Sequence, residues 1–68
     1  MNLTAKYLMA VAQVMEEENI CSVPKLMDGG YENDISKMMV KLGVEKPIAD
    51  VTANSLGRKH LRACMLNL

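Results

Sequence analysis

The sequence contains no phenylalanine and no tryptophan, and Tyr7 and Tyr31 are its only aromatic residues. Two rings are too few for the stacking platform that holds single-stranded nucleic acid. Cysteine is as scarce. Cys21 and Cys64 sit far apart in no paired motif, which excludes a disulfide-dense secreted scaffold and predicts two reduced, partly buried thiols in a cytoplasmic protein. No secretory signal is read at the amino terminus, and its longest apolar run, Tyr7 to Ala12, is broken by Gln13. That is far short of the about 20 apolar residues of a membrane span, so no membrane partner is expected. Charge of one sign is missing too. Eight Lys and Arg balance eight Asp and Glu, so there is no strong overall pull toward polyanions.

The chemistry of catalysis is also thin. Gly29-Gly30 precedes no Gly-Lys-Ser/Thr and follows no strand, so it is no phosphate loop. His60 and Cys64 are four positions apart, a spacing that can place two ligands on one metal, but no second close pair completes a site. A Cys64–His60 nucleophile would need an oxyanion site and a cleft that so small a chain hardly offers. No enzyme activity, cofactor, metal or small-molecule substrate is expected.

What is present is apolar material, at 50% of 68 residues, including 7 methionines. This suits one small domain spanning residues 1–68 and excludes a disordered tail. Thioethers fill irregular gaps but specify packing weakly. A chain this short buries only about 60% of its unfolded surface, so a dimer or a larger protein partner would relieve marginal stability. The apolar end, Met65-Leu66-Asn67-Leu68, points the same way.

Four helices are predicted. The first runs from Thr4 to Glu18, capped by Asn2 or Thr4, with Leu8, Val11, Ala12 and Met15 as its inner stripe. Glu16-Glu17-Glu18 lies at the end that the helix dipole disfavours for acids. Ser22 caps a short second helix that carries Pro24 in its first turn and stops at Gly29-Gly30. Asn33 or Asp34 caps a third, Ile35 to Leu42, with Ile35, Met38, Met39 and Leu42 on one stripe and Gly43 as a left-handed stop. Val44 to Val51 contains Pro47 and reads as a loop, with a short extended stretch near Ile48–Val51 as an alternative. Thr52 then caps a last helix from Ala53 to about Leu66, with Gly57, Leu61, Cys64, Met65 and Leu68 facing inward. The fold class is all-α, a compact orthogonal bundle of about four short helices resembling a helix-turn-helix protein.

Neutral overall charge hides a polarised chain. Residues 1–50 hold all eight acids against five lysines, a net of −3, while residues 51–68 carry Arg58, Lys59 and Arg62 without an acid, a net of +3. Ser55, Arg58, Lys59 and Arg62 recur at helical spacing, with Asn54 beside them. Such a face supplies cations to phosphates and polar groups to base edges. Ser22–Asp28, Gly29–Glu32 and Asn33–Leu42 form a second possible helix-turn-helix. Its second helix sets Lys37 and Lys41 against Glu32 and Asp34, a poor surface for phosphate.

The stretch Ile35-Ser36-Lys37-Met38-Met39-Val40-Lys41-Leu42-Gly43-Val44, a loop, and then Val51-Thr52-Ala53-Asn54-Ser55-Leu56-Gly57-Arg58-Lys59-His60-Leu61 resembles the helix-turn-helix DNA-binding segments of serine recombinases and small phage transcription regulators. The resemblance covers about the last 35 residues. It implies duplex DNA as partner and Asn54, Ser55, Arg58, Lys59 and Arg62 as the recognition face, which a homodimer would double. No catalytic serine segment is present, so recombinase activity does not carry over. The competing expectation is a non-enzymatic protein-binding module, a phage- or plasmid-type inhibitor or adaptor, that works through the acidic half or through Met27, Met38, Met39 and Met65.

Overall fold

A computed structural model describes residues 2–66, apart from the side chains of Cys64 and Met65. Four helices and no strand occur among the described residues: α1 (Leu3–Glu17), α2 (Val23–Asp28), α3 (Glu32–Lys41) and α4 (Lys46–Leu66). The all-α bundle measures 34 × 22 × 20 Å. α3 packs on both α1 and α4, and α2 lies on α4.

Local chemistry sets the helix ends. Asn2 Oδ1 accepts from the Ala5 amide at 2.7 Å, and Ser22 Oγ accepts from the Lys25 amide at 3.4 Å. At the far end of α1, Asn19 adopts φ 56. The Ile20 amide reaches back to the Met15 carbonyl at 2.8 Å and the Asn19 amide to Glu16 at 3.3 Å. This pair of bonds satisfies carbonyls that a helix end leaves open. α3 ends the same way. Gly43 takes φ 95, and Val44 and Gly43 donate to the Met39 and Val40 carbonyls, both at 3.0 Å. A side chain at Gly43 would be strained in this left-handed conformation.

Two helix starts differ from the sequence expectation by three residues or more. α3 begins at Glu32, with Asn33 and Asp34 inside its first turn and no side-chain cap. There Glu32 and Asp34 favour the helix through its dipole, not through a capping bond. α4 begins at Lys46, where a loop is expected from Val44 to Val51. Pro47 sits in its first turn, where the missing N–H costs nothing, and the Ala49 amide closes onto the Glu45 carbonyl at 2.8 Å. Thr52 is therefore a buried mid-helix residue and not a cap.

The inner stripe of α1 is also displaced by one residue. Tyr7, Ala10, Val11 and Val14 are buried, while Leu8 and Ala12 face outward and Met15 is half-buried. Both sets obey helical spacing, and the larger contact available to the Tyr7 ring decides between them. Leu26, Met27, Ile35, Met38, Met39, Val44, Ala49 and Ala53 complete the core. Tyr31 is half-buried against it. Cys21 is an exposed free thiol, contrary to the partly buried state expected of it. Met27, Met38 and Met39 are core residues, so they form no docking surface. Met65 and Leu68 lie outside the described side chains.

Gly57 is buried in the middle of α4. A methyl group built there meets Glu32 Cγ and Met27 Sδ at 3.6 Å, an ordinary contact distance. Gly57→Ala is therefore expected to stabilise the chain by about 0.5–1 kcal/mol through helix propensity. A rise in thermal midpoint checks this, and a fall would mean that Met27 or Glu32 cannot accommodate the methyl.

Candidate nucleic-acid interface

α4 presents its core side through Ala49, Ala53 and Gly57, which fixes what its opposite side displays. That opposite side carries Val51, Asn54, Ser55, Arg58, Lys59 and Arg62, all exposed, lining one shallow crease. The five residues expected from the sequence thus share a flank. Val51, 69% exposed at the amino-terminal end of the crease, is an apolar addition to them.

Among the described residues the one ion pair is Lys46 Nζ to Asp50 Oδ2 at 3.1 Å. The acids of α1 make none with Arg58, Lys59 or Arg62. Exposed pairs of this i, i+4 kind contribute little to stability, but Asp50 has a second role. Ser36 Oγ on α3 donates to its Oδ1, joining α3 to α4. Asn54 Nδ2 donates to the Asp50 carbonyl at 2.8 Å. The Ser36 and Lys46 hydrogen bonds hold the Asp50 carboxyl below the usual carboxylate range. The clasp is accordingly complete above that range and weakens as pH falls through the lowered value.

A second groove adjoins this clasp, lined by Lys37, Val40, Lys41, Lys46 and Asp50 with Asn33 and Ser36. The sequence reading missed it. Lys37 and Lys41 look cancelled by Glu32 and Asp34 in the linear order. In the fold, however, Glu32 turns to Gly57 on α4 and contributes to the field at Tyr7. Lys46, hidden in a presumed loop, joins the other two lysines. The signal available in the sequence was their spacing, with Pro47 read as a first-turn residue.

His60 is half-buried, and its Nδ1 lies 3.2 Å from the Tyr7 hydroxyl, with the rings 5.4 Å apart. No group of three or more His, Cys, Asp and Glu side chains that could hold a metal occurs among the described residues. No helix among them is long and apolar enough to cross a membrane. Compared with protein-family models, with curated proteins and with solved structures, the chain matches none.

Proposed function

We propose that this chain is a small duplex-DNA-binding protein, a regulator or accessory factor, that uses α3 and α4 as a helix-turn-helix. The observation that carries the reading is the common exposed flank of Asn54, Ser55, Arg58, Lys59 and Arg62 on α4. The connection adds support. α3 and α4 are joined by residues 42–45, four positions that include the left-handed Gly43, and helix-turn-helix pairs use turns of about this length. Arg58, Lys59 and Arg62 would meet phosphates, with Asn54, Ser55 and Val51 toward base edges and thymine methyls.

Fluorescence anisotropy with a mixed-sequence duplex of about 25 base pairs tests this, because phosphate contacts release counterions. Affinity is expected to fall steeply as salt rises, and Arg58→Ala with Arg62→Ala to lower the slope of log K against log salt by about two. No binding at low salt, or a slope that both substitutions leave unchanged, would overturn the proposal.

Exposed Leu3, Leu8, Met9, Ile48 and Leu66 favour a second reading, a protein-binding module. Partner binding that survives Arg58→Ala and Arg62→Ala but is lost on charge reversal of Glu16, Glu17 and Glu18 would select it.

A further inference from the structure

α1 is apolar on two sides. Opposite the buried stripe, Leu8 is 51% and Met9 41% exposed, with Ala12 exposed and Ala5 half-buried. Successive helical residues are about 100° apart, so Leu8 and Met9 mark the edges of an arc about 100° wide with Ala5 and Ala12 between them. This is the width of a stripe that a helix normally buries. Two alanines seven positions apart form a low ridge, which lets a facing helix approach to the short end of the about 8–10 Å range of interaxial distances.

The charges on the same helix are arranged against its own dipole. Its first turn contains no acid and its last turn no base. Glu16, Glu17 and Glu18 instead crowd the negative end, all exposed. An oppositely directed neighbour of the same sequence corrects both faults at once. With a two-fold axis at the centre of the apolar arc, Ala5 faces Ala12 of the second copy, while Leu8 and Met9 line opposite edges of the seam and each meets its own counterpart. Glu16 then lies beside the second copy's amino-terminal turn, whose leading amides lack intrahelical acceptors.

We propose that the outer face of α1 is a homodimer interface, occupied by α1 of a second copy in antiparallel orientation. The contact is isologous, so the Ala5–Ala12 contact and the approach of Glu16 to the opposing helix end each occur twice. α1 is about 22 Å long, too short to bury the roughly 800 Å² per partner of a standard interface. Association is therefore weak and concentration-dependent. The α4 flank lies on another helix and is not used, so the inference stands or falls independently of DNA binding.

Sedimentation equilibrium from about 1 to 500 µM, a span suited to a small interface, tests it. The weight-average mass is expected to rise from the 7.5 kDa of one chain toward twice that value. Leu8→Glu and, separately, Met9→Glu are expected to keep the chain monomeric with an unchanged helical circular-dichroism spectrum, because they bury an unpaired carboxylate only in the dimer. Glu16→Gln is expected to weaken association about 3- to 30-fold, since the lost helix-end interaction counts twice. Arg58→Ala is expected to leave it unchanged. A wild-type chain that stays monomeric throughout overturns the proposal, as does association indifferent to both Leu8→Glu and Met9→Glu. Strengthening by Glu16→Gln also overturns it, because that is the result for parallel helices whose acids face each other.

Discussion

Ile35→Ala is expected to destabilise the chain by about 2–5 kcal/mol, the range for truncating a large buried aliphatic side chain. Ile35 is fully buried on α3, which packs extensively against both α1 and α4. A cavity there removes contacts on two interfaces at once. A single core of this size rarely supplies more than about 3–5 kcal/mol in total, so the variant is expected to be largely unfolded at 25 °C. Urea denaturation followed by helical circular dichroism measures the loss. Two controls fix its origin. Ile35→Val is expected to cost only about 0.5–1.5 kcal/mol, and Val40→Ala, on the exposed side of the same helix, no more than about 0.5 kcal/mol. Equal effects at positions 35 and 40 would mean that α3 is not the centre of the core.

The second large effect is alkaline. Burial, and after it the negative charge of Glu32, pushes the Tyr7 hydroxyl up from 10.0 to about 12. Between those values the unfolded chain has released the phenolic proton and the folded chain has kept it. The folded state then binds more protons, so stability falls as pH rises. This contribution is fully present below pH 10 and is lost through about pH 12. Two pH units correspond to about 2–3 kcal/mol, a large fraction of the stability available. Urea midpoints are expected to stay level from about pH 8 to 9.5 and then drop steeply in the wild-type chain. Tyr7→Phe is expected to start lower, having lost the contact with His60, and to drop less. Parallel curves for the two proteins would remove Tyr7 as the cause.

Punctuation was the most legible part of the sequence. Ser22, Gly29-Gly30 and Gly43 mark helix ends through capping and left-handed geometry, both local properties. The Ile35–Met38–Met39 stripe is legible because, Val40 aside, the rest of α3 is polar. Pro47 misleads, since proline is tolerated only in a first turn, and choosing that option needs the Glu45–Ala49 bond to be foreseen. Thr52 misleads as well, because a good capping residue is also acceptable inside a helix when its surroundings bury it. The flank of Asn54, Ser55, Arg58, Lys59 and Arg62 follows from spacing along one helix. The meeting of Lys37, Lys41 and Lys46 does not, because it depends on how α3 and α4 sit together and on where Glu32 turns.

The doubled greasiness of α1 bears on how the molecule finds one arrangement. Rolled about its axis by a single residue's rotation, the helix would still offer an oily ridge to its neighbours, so oiliness alone leaves two docking settings close in energy. The phenol–imidazole contact across to α4 exists in only one of them. Tyr7 works as a key in a slot, indexing the cylinder against the rest of the core. A chain with just two tyrosines thus draws orientation as well as bulk from one of them.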